Sequence, residues 1–154
     1  MQLLLLRHAE AESNAATDEV RTLTGRGTKQ AEAIGKFCLE HDFVPGMILS
    51  SPLTRAEETA RLVARELNLP KLVQIVEFLR AGMTAERAFS GLRENLVALT
   101  KREKHSENAG IMMVGHEPDF SQLAGVLIGG RAQSVHFRKE IGRASCRERV
   151  YGLV

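Results

Sequence analysis

The feature that most constrains the fold is an alternation of short apolar runs with longer segments of helical spacing. Four runs have the continuous apolar character of buried strands, and they cover residues 2–6, 47–49, 72–76 and 111–114. This order of runs and helical segments is typical of a mostly parallel sheet covered by helices. The sequence therefore predicts an α/β fold, a three-layer sandwich with a mostly parallel central sheet and helices on both faces.

The segments between the strands carry apolar residues three or four positions apart, as on one face of a helix. Thr24 is the predicted N-cap of the first helix, and Ser51 is the predicted N-cap of the second. Gly129 and Gly130 mark the end of a last helix over residues 118–128. The predicted buried stripes are Ala31, Ile34 and Cys38; Ala56, Ala60, Val63 and Leu67; and Phe89, Leu92, Leu96 and Leu99.

The length and composition fit a single domain without a membrane span. The chain has 154 residues, of which 44% are hydrophobic and 26% charged, close to the average for one soluble domain. Its apolar runs are far shorter than the about 20 residues that cross a bilayer, and no basic stretch leads into a signal-type apolar region. We therefore expect a monomeric cytoplasmic protein, in which Cys38 and Cys146 are reduced thiols without a disulfide or zinc site.

The basic residues are concentrated near the end of the chain. Residues 138–149 hold five basic and two acidic residues, against a net charge of +2 for the whole chain, so the rest is nearly neutral. With one tyrosine, six phenylalanines and no tryptophan, the sequence also offers no platform for stacking bases. Nucleic-acid binding is therefore the weaker interpretation.

Three strand-to-loop junctions carry basic residues that a strand end does not need for packing. Arg7 and His8 follow the first strand, Arg55 lies just inside the helix after the second, and His116 follows the fourth. In open α/β sheets the carboxyl ends of the strands converge on one crevice. Arginine has a planar fork of donors that suits phosphate, and the helix start near Ser51 adds free N–H groups. The sequence therefore predicts a crevice that binds an anion.

A histidine in such a crevice can act as a nucleophile if its attacking nitrogen is unprotonated. Arg7 and Arg55 favour that state for His8, because positive neighbours repel the imidazolium form. Taken singly, each residue has an ordinary alternative: a surface pair for Arg7 and His8, a solvated helix residue for Arg55, and a ring satisfied by backbone for His116. The functional interpretation therefore depends on the whole set and its placement.

Four motifs, in the right order along the chain, resemble those of a known family. Residues 3–10, Leu-Leu-Leu-Leu-Arg-His-Ala-Glu, are similar to its opening strand and Arg-His-Gly motif, with Ala9 in the place of glycine. Residues 21–27 resemble its Arg-Pro-Leu-Thr-x-x-Gly segment, with Thr22 where proline is usual. Residues 50–60 resemble its second-arginine motif, and residues 114–119 resemble its second-histidine motif. The family is the histidine phosphatase superfamily, with the phosphoglycerate-mutase-like fold, and the branch is that of the small SixA-type phosphohistidine phosphatases.

The resemblance spans residues 1–139 and implies a role for each residue of the crevice. The implied roles are His8 as the nucleophile, Arg7, Arg55 and His116 as ligands of the phosphoryl oxygens, and Arg21 as a further residue lining the pocket. No metal or cofactor is implied, and phosphate, sulfate or vanadate is expected to bind in the pocket. We also expect activity to fall at acidic pH as His8 is protonated, so a profile flat down to about pH 5 speaks against attack by imidazole.

No carboxylate stands out as the general acid that many branches of this superfamily use. Glu10, Glu77 and Glu117 are the candidates, and each has the alternative of a solvated loop carboxylate. A phosphoimidazole can leave without such an acid, because its distal ring nitrogen gains a proton near neutral pH. An alkoxide cannot leave unaided.

The resemblance therefore implies a phosphatase that acts on phosphohistidine presented by another protein, for which a short chain with an open crevice is suited. Two alternatives stay open: a small-molecule phosphomonoesterase of the same superfamily, and a non-catalytic phosphate-binding adaptor domain. Comparing phosphohistidine peptides with sugar phosphates separates the first alternative, and phosphate release that depends on His8 eliminates the second.

The end of the chain departs from the pattern. Residues 140–149 carry charges that cannot alternate as in a half-buried strand, and residues 150–154 then resume an apolar run. We treat residues 140–154 as an atypical segment, an artefact or an altered last strand, with a basic docking arm for an acidic partner as the other interpretation. Without a last strand, the sheet edge beside residues 135–137 is exposed.

Overall fold

A computed structural model describes residues 2–102, 110–129 and 152–153, and over these ranges the chain is an α/β sandwich. The strands are β1 Gln2–Arg7, β2 Pro45–Ser50, β3 Val73–Ile75, β4 Gly110–Gly115 and β5 Gly152–Leu153. The helices are α1 Gly25–Glu40, α2 Thr54–Glu66, α3 Ala85–Arg102 and α4 Asp119–Leu127. Two short 3-10 turns, Pro70–Leu72 and Glu77–Leu79, flank β3.

The strands form one parallel sheet in the order β3-β2-β4-β1-β5. In the central pair, the register runs from Gln2 opposite Gly110 to Arg7 opposite Gly115. Strands β1 and β4 therefore end at the same level. The residues that follow them, His8 and His116, emerge side by side at the carboxyl edge of the sheet.

The strand β5 adds a fifth strand to the four that the apolar runs predict. Gly152 and Leu153 pair with Leu5 and Leu6 of β1. Part of the atypical segment 140–154 thus lies along the edge of the sheet, whereas the remainder of it and residues 135–137 lie outside the described residues.

Successive residues of each central strand point to opposite faces of the sheet, and both faces are covered. Leu4, Leu6, Ile48, Met112 and Val114 pack with α1 and α2. On the other face, the buried strand residues Leu5, Met47, Leu49, Ile111 and Met113 pack with α3 and α4. Burial on both faces explains why the strands are continuously apolar, and it confirms the predicted three-layer sandwich.

Two helix starts differ from the prediction. Helix α2 begins at Thr54, three residues after Ser51, and its N-cap Leu53 has no side-chain cap. Ser51 instead accepts a hydrogen bond from the N–H of Leu53 at 3.3 Å, which makes a turn before the helix. Helix α4 likewise begins at Asp119 rather than at residue 118. The Thr24 cap of α1 is confirmed, since its hydroxyl accepts from the N–H of Gly27 at 2.9 Å.

Two apolar segments also differ from the prediction. The third strand is shorter than residues 72–76, because the chain first completes the 3-10 turn that Pro70 opens. In α3, the buried face carries Ala88 and Leu92, while Phe89 is 39% exposed. The prediction of Phe89 as a core residue is therefore wrong. Phe89 is the more apolar of the two neighbours and is therefore the residue that the sequence assigns to the core, but the smaller Ala88 occupies the buried position.

None of the helices in the described ranges is long and apolar enough to cross a membrane. Cys38 is a free cysteine on the buried face of α1. Burial raises the pKa of its thiol to about 11, so the thiolate is not populated near neutral pH. Cys146 lies outside the described residues.

Candidate active site

The two histidines lie beside each other where β1 and β4 end. The backbone N–H of His8 donates to the carbonyl of Gly115 at 2.9 Å, which extends the pairing of the two strands by one residue. The ring centroids of His8 and His116 are 5.2 Å apart, and the ring planes are tilted by 56°. The spatial convergence predicted from the strand ends is thus present for both imidazoles.

The His8 ring is held in a defined tautomer. Its Nδ1 lies 2.7 Å from the carbonyl oxygen of Ala9, which can only accept, so Nδ1 carries the proton and donates. Its Nε2 is 3.2 Å from Nε of Arg55. The arginine N–H can only donate, so Nε2 accepts through its lone pair. These two contacts assign the lone pair to Nε2.

Burial, together with the positive charges of Arg55, Arg7 and Arg21, lowers the pKa of His8 to about 4, although the hydrogen bond to the Ala9 carbonyl opposes the shift. The sequence predicts the effect of the arginines but not the larger cause, which is desolvation of the charged ring. The expectation that a profile flat down to about pH 5 speaks against imidazole attack is therefore wrong. A ring with this pKa stays neutral throughout that range.

Arg55 connects His8 to an acidic residue that the sequence did not single out. Arg55 is on the first turn of α2, and the residue is only 5% exposed. Its Nη1 donates to the carbonyl oxygen of Asp18 at 2.7 Å, and its Nη2 donates to Asp18 Oδ2 at 3.0 Å. Arg55 is therefore a buried cation between the nucleophile candidate and an exposed carboxylate.

Arg21 contacts the same carboxylate. Its Nη1 is 2.9 Å from Asp18 Oδ1, and its Nε donates to the carbonyl of Glu12 at 2.5 Å. The hydrogen bond from Arg21, followed by the bond and charge of Arg55, lowers the pKa of Asp18 despite some desolvation. Asp18 is therefore ionised near neutral pH, and each of its carboxylate oxygens accepts from a different arginine.

Arg7 is the last residue of β1 and lies opposite Gly115. Burial lowers the pKa of its guanidinium, and the negative charge of Glu117 opposes this shift. The guanidinium remains charged near neutral pH, because the ordinary pKa of arginine is very high. Arg7, Arg55 and Arg21 all act electrostatically on His8, and His116 lies beside it, so the structure brings the five predicted site residues together.

His116 is almost fully buried, with 3% of its surface exposed. Its Nε2 lies 2.8 Å from Oγ of Ser51. Burial lowers the pKa of His116 to about 3, and the charges of His8 and Arg55 act in the same direction, whereas Asp18 opposes them. Both rings of the site are therefore neutral near pH 7.

The three carboxylates considered as general acids are engaged in local contacts. Glu10 accepts from the hydroxyl of Thr24 at 2.9 Å and pairs with Arg26 at 3.6 Å, at the start of α1. Glu77 pairs with Arg80 at 3.1 Å on the surface. These contacts fit the alternative of structural or solvated carboxylates for both residues.

The third carboxylate, Glu117, accepts from the hydroxyl of Ser121 at 2.5 Å. Its charge also raises the pKa of Arg7. Glu117 is therefore close enough to Arg7 to affect it electrostatically, and the hydrogen bond from Ser121 holds it against α4.

The motif around Arg55 also contains residues that hold the site in place. The hydroxyl of Thr59 donates to the carbonyl of Arg55 at 2.7 Å and accepts from the N–H of Ala9 at 3.1 Å. Glu58 Oε2 accepts from the N–H of Leu23 at 2.7 Å. Glu58 and Thr59 thus tie the loop after β1 to α2. Their place in the motif indicates that both residues matter for the site, but the sequence does not reveal which groups they contact.

Within the described ranges, no group of three or more histidine, cysteine, aspartate or glutamate side chains could hold a metal ion. The described site consists of guanidinium cations, neutral imidazoles and hydrogen-bond donors, with the Asp18 carboxylate bound to two of the cations. Such a set can bind a tetrahedral oxyanion, and it presents a nitrogen lone pair from His8.

Comparison with known proteins gives a family match over half of the chain. Residues 3–81 match the profile of the histidine phosphatase superfamily (branch 1). This range contains four of the five predicted site residues, and His116 lies beyond it.

Two curated proteins of Escherichia coli (strain K12) illustrate the range of relatives. Phosphohistidine phosphatase SixA is 33% identical over 76 residues, which are 49% of this chain and 47% of that protein. Adenosylcobalamin/alpha-ribazole phosphatase is 28% identical over 92% of this chain and 87% of that protein. The mitochondrial serine/threonine-protein phosphatase Pgam5 of Drosophila persimilis is 36% identical, but the match spans only 28% of its length. The chain thus spans half or less of the relatives to which it is more than 30% identical.

A solved structure extends the similarity across the sheet. The protein histidine phosphatase SixA complexed with tungstate superposes with a TM-score of 0.68 at 27% identity, covering 81% of this chain and 75% of that one. A putative alpha-ribazole-5'-P phosphatase of Escherichia coli superposes with a TM-score of 0.56 at 26% identity, covering 85% of this chain and 81% of that one. The architecture described above is therefore shared with phosphatases of more than one specificity.

Proposed function

Because this chain belongs to the histidine phosphatase superfamily, we propose that it is a phosphatase in which Nε2 of His8 attacks the phosphorus of a bound phosphoryl group. The observation that carries this proposal is the bonding of the His8 ring. Nδ1 donates to the carbonyl of Ala9, which leaves the lone pair on Nε2. Arg55 donates to that nitrogen, so the lone pair faces the guanidinium groups. A neutral imidazole with its lone pair among guanidinium groups is equipped for attack on a dianion.

The first chemical step forms a phosphorus–nitrogen bond at His8 Nε2 and breaks the bond between phosphorus and the leaving group, which departs with its electron pair and takes a proton. In the second step, water attacks the phosphohistidine, the phosphorus–nitrogen bond breaks, and inorganic phosphate is released. Phosphoryl transfer asks mainly for positioning and countercharge. Arg7, Arg55 and His116 supply donors to the phosphoryl oxygens, and Arg21 lines the pocket. We expect no metal or cofactor to be required.

Binding of the phosphoryl group requires the arginines to change partners. The N–H of Arg55 that donates to His8 Nε2 has to turn to a phosphoryl oxygen, which releases the lone pair for attack. The carboxylate of Asp18 has to give up donors of Arg55 and Arg21 in the same way. We expect inorganic phosphate, sulfate, vanadate and tungstate to bind at this position, and tungstate is named in the solved SixA complex.

For the substrate, we propose phosphohistidine presented by another protein. Two observations support this choice over an alkyl phosphate. The described contacts of Glu10 and Glu77 lie away from His8, so neither is arranged to protonate an alkoxide, whereas an imidazole leaves without such help. The similarity to SixA in sequence and in structure points the same way. We further propose a monomer that acts in the cytoplasm on a phosphotransfer protein.

A small-molecule phosphomonoesterase is the second candidate function. The observation that favours it is the match to adenosylcobalamin/alpha-ribazole phosphatase, which runs along 92% of this chain. Glu117 is then the carboxylate to consider, because its charge acts on Arg7. A preference for sugar phosphates over a phosphohistidine peptide, together with loss of that activity in Glu117→Gln, would support this candidate.

The decisive experiment asks for a covalent intermediate. The protein is incubated with a radiolabelled phosphohistidine peptide and quenched, and the label on the protein is tested for the lability in acid that is typical of phosphohistidine. We expect label on wild type and none on His8→Ala. His41→Ala is the matched control, because His41 stacks on Phe37 at the end of α1 and should leave labelling unchanged. Phosphate binding without label or release in a folded sample would instead indicate the non-catalytic adaptor.

A further inference from the structure

The hydroxyl of Ser51 makes a contact that the family motifs do not explain. Ser51 is fully buried in the connection between β2 and α2, and its N–H donates to the carbonyl of Val114 at 3.0 Å. Val114 is in β4, two residues before His116. The hydroxyl is thereby fixed against the His116 ring, with 2.8 Å between Oγ and Nε2.

The other contact of the hydroxyl bears on the direction of this hydrogen bond. Within the described residues, Oγ of Ser51 contacts the N–H of Leu53, at 3.3 Å, and Nε2 of His116. The Leu53 N–H can only donate to Oγ, and among the described contacts of this hydroxyl Nε2 of His116 is the one acceptor for its proton, so we assign the hydroxyl as the donor. A neutral imidazole has one proton, and that proton is then on Nδ1 of His116.

The other ring nitrogen of His116, Nδ1, makes no hydrogen bond within the described residues. Nδ1 is buried, and no hydrogen-bond partner for it lies within residues 2–102 or 110–129. A buried N–H without a partner costs free energy, and such a cost is recovered when an anion accepts from it. The rings of His8 and His116 lie side by side, with their centroids 5.2 Å apart, so an anion bound at His8 is close to the His116 ring.

We propose that Ser51 is a positioning residue that fixes His116 as the Nδ1–H tautomer, so that the neutral ring donates a hydrogen bond to the phosphoryl group. This inference rests on the proposed function, because it assumes that the bound anion is a phosphoryl group. The two rings then carry the same tautomer for different purposes. Ala9 leaves a lone pair on His8 Nε2 for attack, and Ser51 leaves a proton on His116 Nδ1 for binding. With the proton on Nε2, the lone pair of Nδ1 would repel the phosphoryl oxygen.

The first test measures the tautomer without turnover. Nitrogen NMR of the histidine side chains distinguishes a protonated from an unprotonated Nδ1 in the wild-type protein near pH 7. We expect the Nδ1–H form for His116. A predominant Nε2–H form would overturn the proposal, and this measurement does not depend on whether any variant folds.

The second test compares two adjacent buried serines. Ser51→Ala should shift His116 toward the Nε2–H form and weaken the binding of inorganic phosphate by about 10- to 100-fold, as for the loss of a hydrogen bond to a charged group. Ser50→Ala is the matched control, because Ser50 is equally buried but donates to the carbonyl of Ser51 at 3.0 Å. It should leave both the tautomer and the phosphate Kd unchanged.

The outcomes separate this inference from the proposed function. An unchanged tautomer or an unchanged phosphate Kd in Ser51→Ala would overturn the role of Ser51, while labelling of His8 would still support the phosphatase. Conversely, absence of label on His8 contradicts the phosphatase and leaves the tautomer measurement standing. Ser51→Thr retains a hydroxyl, and recovery of the Nδ1–H signal in that variant would support the proposal further.

Discussion

Nε of Arg55 lies 3.2 Å from Nε2 of His8, so a guanidinium on the first turn of α2 donates to the ring nitrogen that follows β1. The two residues are 47 positions apart in the sequence, and the parallel pairing of β1, β4 and β2 brings them together. The same guanidinium bonds to Asp18 through two further nitrogens. Arg55 therefore organises both the nucleophile candidate and the countercharge.

The replacement of Arg55 by alanine should lower kcat/KM by about 100- to 1,000-fold, the usual effect of removing one preorganised donor from a charged transition state. Arg55→Lys should recover little of this loss, because an ammonium cannot reproduce the planar fork that contacts His8 and Asp18. Arg61→Ala is the control, since Arg61 is on the same helix but pairs with Glu57 on the surface at 2.7 Å. Steady-state kinetics with a phosphohistidine peptide provide the measurement. Equal activity of Arg55→Ala and Arg61→Ala would contradict the role of Arg55.

The His8 ring should titrate far below the ordinary range for histidine. Burial and three arginines lower its pKa from 6.5 to about 4, and attack requires the neutral form. Protonation of His8 should therefore reduce kcat/KM only as the pH falls through about 4, and this group should contribute no slope between pH 5 and 7. The direct measurement is an NMR titration of the His8 side chain in the free protein. A midpoint near 6.5 would show that the ring is not desolvated.

The free energy of unfolding should decrease as the pH is lowered, because the site buries neutral histidines. The pKa of His116 is about 3 in the folded protein, against 6.5 ordinarily, so the unfolded chain binds a proton first as the pH falls. The contribution of His116 is complete above pH 6.5 and is lost between 6.5 and about 3. The slope is at most about 1.4 kcal/mol per pH unit for each such group. Urea unfolding between pH 4.5 and 7 should show a shallower dependence in His116→Asn than in wild type, and equal slopes would refute the linkage.

The fold and the main site residues can be predicted from the sequence because they follow regular rules. Continuous apolar runs identify the central strands, and basic residues directly after β1 and β4 identify His8 and His116. Asp18 escapes this reasoning, because it lies in an irregular exposed loop with no periodic pattern and acquires its role only through contact with Arg55. Ser51 has a sequence signal, but the signal indicates a helix cap rather than a bond to His116. The pKa of His8 depends on burial in three dimensions, which neighbouring residues in the sequence do not reveal.

The carboxylate of Asp18 should compete with phosphate for the arginines. It accepts from Arg55 and Arg21 at 3.0 and 2.9 Å, so a bound anion has to displace it. Asp18→Asn removes the competing charge and should tighten the binding of inorganic phosphate about two- to fivefold, in line with the strength of an exposed ion pair. Glu19→Gln is a matched control, because Glu19 is adjacent but pairs with Arg80. Isothermal titration gives both Kd values, and weaker binding in Asp18→Asn would mean that Asp18 mainly holds the guanidinium groups in position.

The glycine at position 27 should be required for the packing of α1 against the loop that carries the nucleophile. A Cβ on Gly27 would lie 2.0 Å from the carbonyl oxygen of Glu10, two residues after His8, and a backbone atom cannot rotate away. Gly27→Ala should therefore lower the free energy of unfolding by about 1–3 kcal/mol or more and shift the NMR signals of His8. Gly25→Ala is the matched variant in the same turn, where nothing lies within 4 Å of the added Cβ. It should leave stability unchanged or raise it by up to about 1 kcal/mol, so equal urea midpoints for the two variants would contradict the close approach of α1 to this loop.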